Sequence, residues 1–446
     1  MTHKYPLIAA GVAAALAAGL AQATPPTISA AAGAADTLVI AGSSAAKNAI
    51  IAGIEKDVCG DPGGAANTLL VSSTGGTKNF FALSCNTVGT IGTIASGTLV
   101  TIYYRTEGGS VVGALPIANG GHQIKRLNLS DGSCTGSGIT ATCSVTGTTT
   151  TNGPNDSWGT AVIADNVDLG VTDVEPGQLT GSDYPTGYAS SAFGSATTAQ
   201  MKALTNSKLY QQVFGLAVNV SGRSFSTVNL SRESAANILS GSYSDWHNVP
   251  DALTGNPISS VTTGDPILLV NREPGSGTRT QANIFFLGYQ CSSTTAISGT
   301  TGNFSTTDEL NAVNGTPGAI GYTVIDQLEP GQTNFTNLVL ATINGVTPSN
   351  LAAATGQYED WFEAALVPAP GTAGASLALS TFLQTDLPKL ATAPLDNAIN
   401  AIPGVGGNVA TVPLLSNGQA ATSTKVVYVN PYTRGGKSCN VPTETN

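Results

Sequence analysis

Short apolar, β-branched runs that break into glycine- or hydroxyl-bearing turns constrain this chain more than any other feature. Residues 37–41 run into Gly42-Ser43-Ser44-Ala45 and then a helical pattern with Ala46, Ile50 and Ile54 on one side. Ser43 or Ser44 is placed to cap that helix. Residues 99–104 run into Arg105-Thr106-Glu107-Gly108-Gly109-Ser110, after which residues 111–115 begin another element. Residues 167–173 deliver a carboxylate, Asp173, at a strand end. Residues 266–270 run into Asn271-Arg272-Glu273-Pro274-Gly275-Ser276-Gly277-Thr278-Arg279-Thr280, followed by a helix through Gln281, Ala282, Ile284, Phe285 and Phe286. Strands alternating with helices predict an α/β fold whose ligand crevice lies at the strand carboxyl ends.

The last of these junctions suits an anion. The first N–H groups of a helix have no partner inside it, and the helix dipole places partial positive charge there. Gly275 and Gly277 let the backbone come close, and Ser276 and Thr278 add hydroxyl donors. Arg272 can hold two oxygens of a tetrahedral oxyanion at once. A plain glycine turn between two core elements accounts for the same residues, so the junction alone leaves both readings open.

The remaining chain fills in the pattern. Residues 213–220 read as a strand crossing into a second domain, 231–239 as a short capped helix ending at Gly241, and 318–322 as a tight strand. Residues 338–346 read as a strand, 358–366 as an amphipathic helix and 376–390 as another helix. The Ser/Thr/Gly-rich stretch 132–153 reads as a surface loop or hairpin.

At 446 residues, two ordinary domains fit. A formal charge of −10 and no Lys/Arg-rich run argue against a nucleic-acid partner. Residues 1–23 read as a secretory signal peptide: His3 and Lys4 start it, 7–20 are apolar, and Ala21-Gln22-Ala23 fits the cleavage site. No Cys follows the cut, so no lipid anchor is indicated. No later stretch reaches the roughly 18 to 20 apolar residues of a membrane span. The mature protein is expected to be soluble and exported, with residues 24–35 as a flexible leader. The 6 cysteines then fit up to three disulfides. Cys134 with Cys143, across one Gly/Thr-rich loop, and Cys59 with Cys85 are the pairings favoured. Zinc is the rival, but there is no C-x-x-C pair, and His122 and His247 lie far apart in sequence.

Six separated stretches then stand in the order of one family's motifs, and the chain resembles the phosphate-binding proteins of bacterial ABC importers. Residues 37–45 resemble the family's opening strand and G-A-T-like turn, and 107–115 its second, serine-bearing loop. Residues 167–173 are similar to D-F-G-A-S-D, and 238–249 to a segment ending in a tryptophan turn. Residues 272–278 are similar to R-x-D-G-S-G-T, and 318–322 to G-A-I-G-Y. The resemblance covers about residues 37–366, interrupted by inserts. It implies a two-lobed, type II periplasmic-binding-protein-like fold with the ligand cleft between lobes and two hinge crossings. Lobe one would be 36–215 plus 358–446, and lobe two 216–357. It further implies Ser44, the Ala45 backbone, Ser110, Asp173, Arg272, Ser276, Gly277 through its N–H, and Thr278 as phosphate ligands. The sequence departs from the family at Pro274, where an aspartate is usual, leaving Glu273 and Glu107 as candidates to orient Arg272. Ala45 replaces an aromatic, and a tail extends beyond residue 390.

The resemblance gives Asp173 a physical task. A carboxylate repels an anion unless the guest brings a proton to donate, as hydrogen phosphate does and sulfate does not. Capping of the next turn is its alternative role. The reading is therefore an extracytoplasmic, monomeric receptor for inorganic phosphate, serving an ABC importer or scavenging, with no enzyme activity, cofactor or metal expected. Two rivals stand beside it. A phosphate-ester hydrolase would need a G-x-S-x-G elbow or a metal cluster, although His122 or His247 could act as a base. Gly435-Gly436-Lys437-Ser438 ends like a P-loop, but Pro431 stands where its first glycine belongs, so it reads as tail. A surface or filament-forming protein reusing the fold would suit the low charge and the Thr/Gly-rich inserts.

Overall fold

The structure, a computed structural model, describes residues 24–61, 64, 66–75, 79–121, 123–145, 159–184, 194–299, 302–328, 335–386, 400–403, 409–412 and 432–444. The expected signal peptide, His122, residues 146–153 of the insert and much of the tail lie outside them. Within the expected flexible leader, helix α1 (Ile28–Ala32) is capped by Thr27 and buries Ala31, whose carbonyl accepts from Thr101 Oγ1 at 2.8 Å.

The strands and helices that follow are β1 (Asp36–Gly42), α2 (Lys47–Gly53), β2 (Leu69–Gly75), β3 (Phe80–Asn86), β4 (Leu99–Arg105) and α3 (Ser110–Ala118). Next come β5 (Gln123–Leu127), β6 (Cys134–Ser137), β7 (Thr140–Val145), β8 (Val162–Asn166), β9 (Leu169–Thr172) and α4 (Thr198–Ala203). The long strand β10 (Ser207–Asn219) leads to β11 (Asn229–Leu230), α5 (Arg232–Leu239), β12 (Leu268–Leu269), α6 (Gly277–Leu287), α7 (Thr306–Asn314) and β13 (Ala319–Val324). The described chain then passes through β14 (Leu338–Leu340), β15 (Thr342–Ile343), α8 (Asn350–Ala354), β16 (Trp361–Pro368) and α9 (Gly374–Asp386). This is the α/β class that the alternating pattern predicts.

The main sheet runs β12-β13-β10-β16-β9-β1-β4-β3-β2-β7-β6. Strand β1 is parallel to both neighbours, β9 and β4, so its carboxyl end and theirs share one edge of the sheet. Helix α3 lies directly on that edge because Gly113 and Gly170 meet without side chains: a Cβ on Gly113 would stand 2.6 Å from Ala41 O and 2.7 Å from Val171 N. Strand β10 changes partners midway. Ser207 to Val213 pair with β16, whereas Phe214 to Val218 pair with β13. The Phe214 N–H donates to Asp360 C=O at 2.9 Å, so the outward and returning chain pass side by side.

Residues 358–366, expected as an amphipathic helix, are mostly strand β16. Trp361 to Val367 are all buried because β16 lies between β10 and β9 with both faces covered. A central strand needs no alternation, and a short apolar run does not reveal its period. The expected strand 338–346 is likewise interrupted, turning at Asn344 and Gly345. Within 132–153, β6 and β7 form a hairpin joined by Cys134–Cys143, and β7 extends the main sheet beside β2. The other bridges are Cys59–Cys85 and Cys291–Cys439.

The end of the chain is bound to this frame. Glu363 of β16 accepts from Thr433 Oγ1 and from the Gly436 N–H, and Arg434 donates to the carbonyls of Trp361 (3.1 Å) and Glu359 (3.0 Å). The P-loop-like residues 435–438 therefore form a packed turn on β16. Beside it Asp360, accepting from Gln281, is pushed up to about 8 by burial, which outweighs Arg434 and Arg232. An acid raised on folding favours the folded state while protonated, and that contribution is lost as pH rises through the folded value. Thermal melts should therefore show Tm falling from about pH 5 to about pH 9, with a shallower fall in Asp360→Asn; an unchanged slope in the variant would contradict this.

Candidate functional site

The turns after β1, β4 and β9 meet the N-termini of α6 and α7. Each start is dictated locally. Ser276 caps α6, its Oγ accepting from Arg279 N–H at 3.2 Å, and Ser305 caps α7 in the same way through Asp308. At the other end Gly288, with φ of 63°, closes α6 in the left-handed conformation. Val111 N–H donates to Gly275 C=O at 2.9 Å, which holds the β4–α3 turn against the turn before α6.

Asp173, 2% exposed, stands at the centre. Its Oδ1 accepts from Ser43 Oγ and from Gln212 Nε2 at 3.1 Å; its Oδ2 accepts from Ser110 Oγ at 3.1 Å and Thr278 Oγ1 at 3.5 Å. Burial raises its pKa, and Ser43, Gln212, Arg272 and Ser110 pull it back. Gly277 faces this group: a Cβ there would lie 2.6 Å from Asp173 Oδ2 and collide with Ser110 Oγ. Gly277→Ala should accordingly displace Asp173 or the first turn of α6. A change of Asp173 contacts in a crystal structure of the variant checks this, and an unmoved site would refute it.

Arg272, 1% exposed, forms the opposite wall. Its guanidinium donates to Asn303 C=O (3.0 Å), Thr306 Oγ1 (3.0 Å), Phe304 C=O (3.3 Å) and Ser44 Oγ (3.5 Å). Ser44 Oγ in turn accepts from Thr306 N–H at 3.2 Å. Among the described residues no carboxylate lies within ion-pair distance of Arg272, and Glu107 pairs instead with Arg105 at 3.2 Å. Neither Glu273 nor Glu107 therefore orients Arg272; neutral oxygens do. Burial pushes Glu273 well above the carboxylate range and Glu309 up to about 8, so both neighbours are drawn toward the neutral form.

Ser44, Ser110, Asp173, Arg272, Gly277 and Thr278 thus converge, with Ser276 as the helix cap behind them and Ala45 buried in the β1–α2 turn. The Ala46 N–H, next in that turn, is taken by Ser43 Oγ at 2.9 Å, but Ala46 is itself the N-cap of α2 and no side chain caps that helix, so neither Ser43 nor Ser44 fills the expected capping role; Ser43 braces the turn before it. His247 lies elsewhere, its Nδ1 3.0 Å from Ser259 O in a turn. Among the described residues no group of three or more His, Cys, Asp or Glu could hold a metal ion, and no helix is long and apolar enough to cross a membrane.

No family model and no curated protein matches the chain. Solved structures do. A putative phosphate ABC transporter substrate-binding protein with bound phosphate from Clostridium perfringens is 14% identical, with 79% of this chain and 97% of that one covered and a TM-score of 0.44. An ABC-type phosphate transport receptor from Vibrio cholerae is 13% identical over 79% of this chain and 95% of that one, with a TM-score of 0.38. A phosphate-binding protein from Stenotrophomonas maltophilia is 15% identical over 75% and 79% of the two chains, with a TM-score of 0.37.

Three residues of the site were not singled out as site residues from the sequence. Gln212 stands beside Gln211 in a strand that is otherwise apolar from 213 to 218, and two buried amides in such a strand were the available signal. Thr306 follows the cap Ser305, whose S-x-x-D pattern marks a helix start, but nothing local ties that start to Arg272. Ser43 was visible only as a cap.

Proposed function

We propose that this protein is an extracytoplasmic receptor that binds inorganic phosphate, as hydrogen phosphate, between two lobes. The observation that carries the reading is Arg272: a fully buried guanidinium whose partners are all neutral oxygens, facing hydroxyls and a helix start. A buried charge with no carboxylate in ion-pair contact among the described residues is costly, and an anionic guest offsets that cost. Ser44, Ser110, Ser276, Thr278 and the first N–H groups of α6 supply further donors. Asp173 accepts the one proton the guest carries. The lobes are 36–215 with 358–446, and 216–357, joined where β10 changes partners and where the chain returns at Asp360. The protein hands phosphate to an ABC importer or holds it for scavenging, as a monomer and without turning it over. Three disulfides among the described residues suit export into an oxidising compartment.

Isothermal titration of ligand-stripped protein with phosphate, sulfate and a phosphate ester tests this. Phosphate alone should bind at about micromolar strength or tighter, as four or five charge-assisted hydrogen bonds allow; no heat with any of the three would refute it. Asp173→Asn should narrow the gap between phosphate and sulfate, and equal discrimination before and after would remove Asp173 from that role.

A further inference from the structure

Asp173 is subject to opposing demands. If it becomes neutral it turns into a hydrogen-bond donor, and sulfate is then as welcome as phosphate. Burial drives it toward that neutral form. Four side-chain donors contact it, and they fall into two kinds. Ser110, whose Oγ also accepts from Asp173 N–H at 3.0 Å, and Thr278 lie on the turn and helix start that the receptor reading turns toward the guest. Ser43 and Gln212 sit on the far oxygen, Oδ1. Ser43 is pinned by its own contacts: its N–H donates to Val171 C=O at 2.9 Å, its carbonyl accepts from Tyr104, and its Oγ accepts from Ala46 N–H at 2.9 Å. Gln212 projects from β10, the strand common to both halves of the sheet, and is 1% exposed. Its Oε1 finds no partner among the described residues, while Nε2 is spent on Asp173. An amide leaves the charge of Asp173 intact, where a lysine at that position would cancel it.

We propose that Gln212 and Ser43 set the specificity of this site as positioning residues, holding Asp173 as an oriented carboxylate while the guest takes over Ser110 and Thr278. The inference rests on the phosphate-receptor reading. The other titratable or charged groups around Asp173 are Arg272, which favours the carboxylate, and the hydroxyls of Tyr104 and Tyr210, both kept protonated by burial.

The test is calorimetric titration of wild type, Gln212→Leu and Ser43→Ala with phosphate and with sulfate, from about pH 5.5 to about pH 8.5. Each variant should lose about tenfold of the phosphate-over-sulfate preference at the acid end of that range, and the pH at which the preference is half lost should rise by about one unit, the equivalent of one lost hydrogen bond. A merely structural role would weaken both ligands by the same factor and leave the ratio and its pH profile unchanged, which would overturn the inference. Should Gln212→Leu fail to fold, Ser43→Ala, which removes a single hydroxyl, decides the matter by the same criterion. A wild type that binds phosphate and sulfate alike would refute the receptor reading itself, and this inference with it; a selective wild type with equally selective variants refutes the inference alone.

Discussion

Arg272→Met weakens phosphate binding by a factor of about 100 or more, because at least two charge-assisted hydrogen bonds of roughly 1.5 to 3 kcal/mol each disappear together. The same change stabilises the empty protein. Methionine fills similar volume and removes a buried charge whose hydrogen-bond partners are all neutral, the carbonyls of Asn303 and Phe304 and the hydroxyls of Thr306 and Ser44. Calorimetry and thermal melts of the stripped variant read the two effects, which have opposite signs: affinity falls and Tm rises. Arg272→Lys does not rescue binding, since a point charge cannot reproduce the planar fork. Binding within threefold of wild type in Arg272→Met would show that the guanidinium does not meet the ligand.

The second large effect concerns Cys291–Cys439, which closes a sequence separation of 148 residues. Removing both cysteines (Cys291→Ser with Cys439→Ser) lowers unfolding stability by up to about 5 kcal/mol through the loop-closure entropy returned to the unfolded chain. The bridge also has a local consequence. Helix α6 carries Gly277 and Thr278 at one end, and just beyond its other end the bridge ties it to the terminal segment packed on β16. Hydrogen bonds reinforce that anchor: Ser182 N–H donates to Tyr289 OH at 2.8 Å, Thr180 Oγ1 to Gln290 Oε1 at 2.7 Å, and Gln290 Nε2 to Thr180 C=O at 2.6 Å. A helix anchored at its far end restrains Gly277 and Thr278 at the other, so on the proposed phosphate-receptor reading the double variant should release phosphate faster in a stopped-flow chase. Denaturation that is unchanged within about 1 kcal/mol, well below the loop-closure figure, would show that the bridge constrains little.

Much of the site was legible because its parts are local. Gly275, Ser276 and Gly277 mark the start of α6 directly after a short apolar run and an arginine, and β1 and β9 announce themselves as short apolar runs closed by Ser43 and Asp173. Cys134–Cys143 is legible from the Gly/Thr-rich loop it flanks, and Cys59–Cys85 is the other pairing favoured from the sequence. What escaped depends on three-dimensional neighbours. Strand β16 was taken for a helix because burial on both faces erases the period that separates the two. The partners of Arg272 were sought among nearby acids, Glu273 and Glu107, whereas the fold supplies Thr306 and two carbonyls from about thirty residues downstream. Gln212 touches Asp173 only because β10 lies on the other side of β16 from β9 in the same sheet, a relation no spacing in the sequence encodes.

One measurement goes straight to the central claim. Crystals of the stripped protein soaked in arsenate, a tetrahedral stand-in with its own anomalous signal, should give a single strong arsenic peak within hydrogen-bond distance of Arg272, Ser110, Thr278 and the Gly277 N–H. A peak elsewhere, or none at saturating arsenate, would contradict the account.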